Sequence, residues 1–207
     1  MNFNEFQNFV SKIEKKPLGG LDAQFKLAPK LRLKYSLEKI KASNPKQAAV
    51  LALFYPDEQN NTRFLLTQRA SYNGKHSAQI SFPGGKIEES DQTKEITALR
   101  ESREEVGVDE QEVTIIKEMT EVYIPPSNFL VTPYVGFVEA KPEFVPNHEV
   151  SQIIEVPLKE LLDDANIREF PMKTSYMEKS MVPCFYFEEH IVWGATAMML
   201  AEIRDLF

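Results

Sequence analysis

The feature that most constrains this chain is a pair of glycines followed by a segment with the pattern of a helix. The pair is Gly84 and Gly85. The helix is expected to begin at Ser90 or Asp91, because either side chain can accept hydrogen bonds from the free N–H groups of a first turn. Gly107 is expected to end it, since glycine tolerates the left-handed conformation found at helix ends. The sequence therefore predicts a loop, a helix and a second loop in succession.

Three glutamates of this predicted helix fall on one face: Glu101, Glu104 and Glu105. Helical positions advance by about 100° per residue, so residues three and four apart are neighbours. Their Cβ atoms lie about 5–6 Å apart, and three negative charges at that distance repel one another. A bound cation would reverse the sign of this interaction. The apolar residues expected to face the core lie elsewhere on the helix, at Ile96, Leu99 and Val106.

The glutamates and the glycine turn together predict a site for a divalent metal ion. Glycine has no Cβ, so its backbone can approach an ion closely, and the carbonyl of Gly84 is a hard oxygen ligand of the kind that magnesium prefers. Carboxylate-held metal ions act on phosphate esters and anhydrides. The alternative is a solvated acidic helix face, with the repulsion softened by Arg100 and Arg103.

Residues 100–108 resemble the Nudix box, which contains an Arg-Glu pair, a Glu-Glu pair and a closing glycine. Ser102 stands where the box usually has an aliphatic residue. The spacing from Gly85 to the box arginine is one residue longer than usual. Glu89 and Asp91 are the two candidates for the place of the early glutamate.

The longer spacing and the preceding segment are similar to the coenzyme A pyrophosphatases among Nudix proteins. The similarity is carried by residues 65–71 and 75–85, and further matches follow at residues 131–136 and 193–197. Ala78 stands where this group usually has glycine. The resemblance covers nearly the whole chain. It implies hydrolysis of the diphosphate bond of coenzyme A or its acyl derivatives to 4′-phosphopantetheine and adenosine 3′,5′-bisphosphate.

The resemblance also implies an α/β fold, namely an α/β/α sandwich with a mixed β-sheet and a loop-helix-loop catalytic motif. We expect one domain over residues 1–207, with an N-terminal helical extension at about residues 1–44. Hydrophobic periodicity predicts the main elements independently. The predicted helices are 2–16, 158–163 and 194–206, and the predicted strands are 46–55, 63–69, 113–122, 130–139, 168–176 and 182–187.

The resemblance assigns roles to individual residues. Mg²⁺ or Mn²⁺ would be held by Gly84, Glu101, Glu104 and Glu105, with Glu149 as a further ligand from outside the box. Glu101 or Glu105 would be the general base.

Arg100 is expected to orient the box glutamates by charge-assisted hydrogen bonds. Four residues are expected to bind the substrate: Arg69, Lys75, His76 and Gly85.

Two other functions remain open from the sequence. The first is the same chemistry on another nucleoside diphosphate derivative, such as ADP-ribose, a dinucleotide or an oxidised nucleotide; residues 76–85 argue against it. The second is a regulator that binds a nucleotide without hydrolysis. The intact glutamates argue against this second function.

The resemblance implies a small-molecule partner, and the net charge of the chain argues against one other class of partner. A formal net charge of −7 argues against nucleic acid. No apolar run approaches the roughly 20 residues that span a membrane, so we expect a cytoplasmic protein.

The single cysteine, Cys184, permits no internal disulfide and is expected in a buried strand. The predicted N-terminal helix could pack on its own domain or on a second copy, so a homodimer is one alternative.

Overall fold

The computed structural model describes residues 1–29, 37–70, 79–174 and 177–207, so Lys75, His76 and Ala78 lie outside the described residues. The helices are α1 Phe3–Lys15, α2 Gly20–Phe25, α3 Leu37–Ala42, α4 Lys94–Val106, α5 Leu158–Leu162 and α6 Gly194–Arg204. The strands are β1 Lys46–Pro56, β2 Thr62–Arg69, β3 Ile80–Ser81, β4 Gly84–Lys86, β5 Thr114–Glu118, β6 Val122–Ile124, β7 Phe129–Phe137, β8 Val150–Pro157, β9 Ile167–Thr174, β10 Met177–Phe187 and β11 His190–Trp193.

Strands β1 to β8 form one sheet, and strands β9 to β11 form a smaller antiparallel one. The path through the large sheet is β3-β2-β1-β7-β5, with β4 paired to β1, β6 to β7 and β8 to β2. Strands β1 and β7 run parallel, whereas the other pairs are antiparallel. The predicted mixed sheet is therefore confirmed.

Strand β1 separates two hydrophobic cores, because successive side chains of a strand point to opposite faces. Ala52 and Phe54 belong to the core that also contains residues of α1 and α6. Leu51 and Leu53 belong to the core that contains residues of α4. Helices thus cover both faces of the sheet, and the predicted α/β/α arrangement is confirmed.

The prediction of one continuous strand over residues 113–122 is wrong. This segment is divided between β5 and β6, and residues 119–121 lie between them. Opposite the break lies Pro133, which has no N–H group to continue the ladder. Met119 still donates its N–H to the carbonyl of Pro133, at 2.8 Å, but Thr120 donates its N–H to a carboxylate oxygen of Glu202 instead.

The N-terminal helix α1 is amphipathic, as predicted, and packs on the sheet. Asn2 and Glu5 form a capping box at its start. Phe6 is fully buried, and its ring centroid lies 5.2 Å from that of Phe54 in β1 and 6.2 Å from that of Phe207. The assignment of residues 1–44 as an extension of a single domain stays a prediction.

Two further expectations concern the burial of Cys184 and the absence of a membrane-spanning segment. Cys184 is fully buried in β10, as predicted. Among the described residues, the helices are all too short or too polar to cross a lipid bilayer.

Substitution of Phe6 by alanine tests how α1 contributes to stability. We expect Phe6→Ala to lower the free energy of unfolding by about 3–5 kcal/mol, because it empties a packed aromatic site. Gln7→Ala, on the exposed side of the same helix, should change it by less than about 0.5 kcal/mol. Urea unfolding monitored by two probes measures both. A separate transition for the N-terminal region would contradict the single-domain prediction.

Candidate active site

Helix α4 begins later than the sequence predicted. Its N-cap is Thr93, whose hydroxyl accepts a hydrogen bond from the N–H of Ile96 at 3.2 Å. The predicted start at Ser90 or Asp91 is therefore wrong. Asp91 instead closes a turn with Glu88, and its carboxylate accepts hydrogen bonds from the side chains of Thr97 and Arg100 in the helix. The end is as predicted, since Gly107 has φ 79° and donates its N–H to a last-turn carbonyl.

The buried face of α4 is only partly the predicted apolar one. Val106 is buried as expected, but Ile96 and Leu99 are only half-buried. Ala98 and Ser102 occupy the packed positions instead. The Ser102 hydroxyl donates to the carbonyl of Ala98 at 2.7 Å, so the residue that departs from the usual box pattern is satisfied within the helix.

Glu105 is the most buried of the three box glutamates, with 5% of its surface exposed. One carboxylate oxygen accepts a hydrogen bond from the N–H of Gly84 at 3.0 Å, and the other lies 3.6 Å from Arg69 Nη1. Burial raises the pKa of Glu105 to about 7, although the Gly84 N–H and Arg69 act in the opposite direction. Glu105 is therefore not part of a solvated acidic face. The positive charge near it is too little to offset the cost of burying its ionised carboxylate.

Glu101 lies directly against the backbone of Gly85. A Cβ atom at Gly85 would stand 2.5 Å from either carboxylate oxygen of Glu101, so only glycine leaves this space. Burial raises the pKa of Glu101, and the hydrogen bond from Arg100 opposes that shift. The third box glutamate, Glu104, is exposed on the same side of the helix.

Arg100 forms hydrogen bonds with two carboxylates of this helix, and its orienting role stays a prediction. Its Nη1 donates to Glu101 Oε1 at 2.9 Å and lies 3.3 Å from Glu104 Oε2. Its Nε and Nη2 donate to the two oxygens of Asp91 at 3.0 and 2.9 Å, a bidentate pair. The role of Asp91 as the anchor of Arg100 was missed from the sequence, which marked this residue only as a cap or as a substitute for the early glutamate.

Arg69 connects Glu105 to Glu149, the acid predicted from outside the box. Arg69 Nη2 lies 2.7 Å from Glu149 Oε2, while Nη1 of the same side chain faces Glu105. Glu149 is exposed and immediately precedes β8. The structure thus places Arg69, predicted to bind substrate, among the carboxylates. Lys75 and His76, with which it was grouped, lie outside the described residues.

The donor set suits a hard divalent cation in its chemistry. Carboxylate oxygens are the ligands that Mg²⁺ prefers, and Gly85 leaves open a cradle that a Cβ would fill. Within the described residues, however, no three His, Cys, Asp or Glu side chains are already grouped to hold one ion. Glu101 and Glu104 contact Arg100, and Glu105 and Glu149 contact Arg69. All four of these carboxylates therefore already have an arginine partner in this structure.

Comparison with known proteins identifies the family. Residues 45–176 match the NUDIX domain. The chain belongs to the Nudix family. It is 34% identical over 164 residues to "Nudix hydrolase 15, mitochondrial" of Arabidopsis thaliana, covering 75% of this chain and 56% of the plant protein. It is 33% identical over 166 residues to "Uncharacterized Nudix hydrolase NudL" of Pectobacterium atrosepticum, covering 76% and 81% respectively.

The structural comparison agrees with the fold. A MutT/nudix family protein from Enterococcus faecalis superimposes with a TM-score of 0.50 at 13% identity, covering 84% of this chain and 68% of that one. At this identity the likeness concerns the fold alone. The chain spans only about half the length of two plant relatives, Nudix hydrolase 15 and Nudix hydrolase 22 of Arabidopsis thaliana, at 56% and 53%.

The pair Asp91–Arg100 predicts how this Nudix protein responds to acid. The Arg100 guanidinium holds the pKa of Asp91 well below its ordinary value. Because the pKa is lower in the folded state, the pair stabilises the protein above about pH 4 and loses this contribution as the pH falls further. Asp91→Asn should therefore lower the free energy of unfolding at pH 7, and the deficit should shrink below pH 4. Glu89→Gln, at an exposed neighbour, is the control. A deficit that stays constant with pH would contradict this prediction.

Substitution by alanine is expected to have different effects at the two glycines of the turn, on stability at Gly84 and on metal binding at Gly85. At Gly84, with φ 151°, a Cβ would stand 2.3 Å from the backbone oxygen of Ala49, which cannot move cheaply, so Gly84→Ala should unfold at a lower temperature. At Gly85 the clash is with the Glu101 side-chain tip, so Gly85→Ala should keep most stability but weaken Mn²⁺ binding. Thermal melts and Mn²⁺ titration separate the two effects. Equal melting losses would show that Gly85 has a structural role instead.

Proposed function

We propose that this chain is a metal-dependent hydrolase that cleaves the diphosphate bond of coenzyme A or its acyl derivatives. The products would be 4′-phosphopantetheine and adenosine 3′,5′-bisphosphate. The observation that carries the proposed chemistry is the buried carboxylate of Glu105 held against Gly84, with Glu101 against Gly85 beside it. The similarity of residues 65–85 to the coenzyme A pyrophosphatases supports the choice of substrate.

The proposed ligands for Mg²⁺ or Mn²⁺ are oxygens of Glu101, Glu104, Glu105 and Glu149 and the carbonyl of Gly84. When bound, the ions would neutralise the phosphate chain and lower the pKa of a water molecule.

Water attacks one phosphorus, the bond from that phosphorus to the bridging oxygen breaks, and the other phosphate group leaves. Glu101 and Glu105 are the two candidates to accept the proton of the water, since both are carboxylates at the glycine turn.

The positive side chains would have separate tasks in this reaction. Arg100 keeps Glu101 and Glu104 oriented through its anchor at Asp91. Arg69 lies beside Glu105 and would bind the diphosphate, together with the backbone of Gly85. Lys75 and His76 are proposed as further substrate contacts on the resemblance alone.

Hydrolysis of coenzyme A tests the proposal. The wild type with millimolar Mg²⁺ or Mn²⁺ should release the two products, separated by chromatography. Glu105→Gln and Glu104→Gln should lower kcat, by about 100-fold or more at Glu105, because the carboxylate charge is lost. Glu95→Gln, exposed in the first turn of the same helix, is the matched control and should act like the wild type.

The remaining outcomes discriminate between the alternatives. If the wild type leaves coenzyme A and acetyl-coenzyme A intact but cleaves ADP-ribose or a dinucleotide, the substrate assignment fails and the chemistry stands. If it binds nucleotides without cleaving any of them, a regulatory binding protein is the better assignment.

A further inference from the structure

The turn at residues 145–150 is attached to the C-terminal end of α4. Val145 donates its N–H to the carbonyl of Val106 at 2.9 Å, and Asn147 donates its N–H to the carbonyl of Glu105 at 3.0 Å. The last carbonyls of a helix have no partner inside the helix. Here a distant segment of the chain supplies partners, and one of the two carbonyls belongs to the most buried box glutamate.

The side chain of Asn147 then fixes the backbone of Glu149. Its Oδ1 accepts a hydrogen bond from the N–H of Glu149 at 2.8 Å, which forms an Asx turn. The carbonyl of Glu149 accepts from the N–H of Ala70 at 2.7 Å, the residue that follows Arg69. Both backbone groups of Glu149 are therefore held, one from the side of α4 and one from the end of β2.

These contacts form a closed circuit around the candidate site. It runs from the backbone of Glu105 to Asn147, on to Glu149, and through the Glu149 carboxylate to Arg69, which faces the carboxylate of Glu105. Within the circuit, the hydrogen bond from the Glu149 N–H to Asn147 uses a side-chain oxygen, while the N–H of the next residue, Val150, donates to the carbonyl of Asn147 at 3.2 Å. The link from Asn147 to Glu105 uses a backbone N–H and would survive a change of side chain.

We infer that Asn147 is a positioning residue that sets the place of Glu149 relative to Glu105 through its Oδ1. This inference rests on the proposed function, in which both glutamates serve one metal site. Without Oδ1, the Glu149 N–H loses its partner, and the carboxylate is held less firmly against Arg69, with only the Ala70 contact left on the Glu149 backbone. Loss of such a supporting contact commonly weakens metal binding or activity by about 10–100-fold.

The test uses three variants of the full chain. Asn147→Ala removes the acceptor, Asn147→Asp keeps an acceptor oxygen at the same position, and Asp163→Ala removes an equivalent Asx turn elsewhere. In that control turn, Asp163 Oδ1 accepts from the N–H of Ala165 at 2.9 Å. Two readouts need no substrate: Mn²⁺ affinity by calorimetry, and hydrogen exchange of the Glu149 amide in the metal-free protein.

We expect Asn147→Ala to weaken Mn²⁺ binding by about 10-fold or more and to speed exchange of the Glu149 amide. Asn147→Asp should restore both values, and Asp163→Ala should change neither. Wild-type behaviour of Asn147→Ala, failure of Asn147→Asp to restore binding, or an equal loss in Asp163→Ala would each overturn the inference.

A double-mutant cycle with Glu149→Gln shows whether Asn147 acts through Glu149. If it does, Asn147→Ala should add little to the loss already caused by Glu149→Gln, whereas fully additive losses would contradict the inference. Because coenzyme A takes no part, failure of the substrate proposal leaves this result unaffected. A wild type that binds no Mn²⁺ would instead refute the proposed function, while the exchange rates still test the contact.

In the active enzyme, Asn147→Ala should lower kcat and raise the Mn²⁺ concentration needed for half-maximal rate. The KM for the organic part of the substrate should stay near the wild-type value, because Asn147 has no proposed contact with it. A rise in KM alone would contradict a positioning role toward the metal ligands.

Discussion

The contact between the Glu105 carboxylate and the N–H of Gly84 is the one on which the arrangement of the candidate site depends. It joins the last turn of α4 to β4, so the helix and the glycine turn meet at one buried side chain. Removing the Glu105 carboxylate from water costs free energy. The hydrogen bond from Gly84 and the guanidinium of Arg69, 3.6 Å away, offset only part of this cost, as the raised pKa of Glu105 indicates. The fold therefore holds Glu105 in a position that is unfavourable for its charge unless a cation is near.

Strand β1 makes this contact possible because it positions both partners. It pairs with β4 opposite Gly84, through Val50, and its Leu51 and Leu53 face the core that contains α4. The other face of β1 carries Phe54, which packs against Phe6 of α1. A shift of one residue in the register of β1 would exchange the two faces and separate the helix from the turn. The N-terminal helix thus supports the site from the opposite face of β1.

Local patterns predicted those parts of the site that depend on local geometry. Helical spacing was sufficient to place all three glutamates on α4, and a glycine was sufficient to mark the end of this helix. The helix start was mispredicted because Ser90, Asp91 and Thr93 are all good caps, and the choice depends on the pairing of Asp91 with Arg100. Contacts such as Arg69 with Glu149, eighty residues apart, have no local signal. The short spacing from Asn147 to Glu149 is typical of an Asx turn, but only the fold shows what that turn holds.

The two arginines of the site differ in how firmly they are held. Arg100 is largely buried, with 12% of its side chain exposed, and forms a bidentate pair with the buried carboxylate of Asp91. Arg69 pairs with the exposed Glu149, and its 3.6 Å distance to Glu105 is too long for a hydrogen bond. Exposed ion pairs contribute about 0–1 kcal/mol, so the contact of Arg69 with Glu149 costs little to exchange. A cation that binds Glu149 would therefore replace Arg69 there at low cost, while Arg100 and Asp91 would continue to hold Glu101 and Glu104 in place.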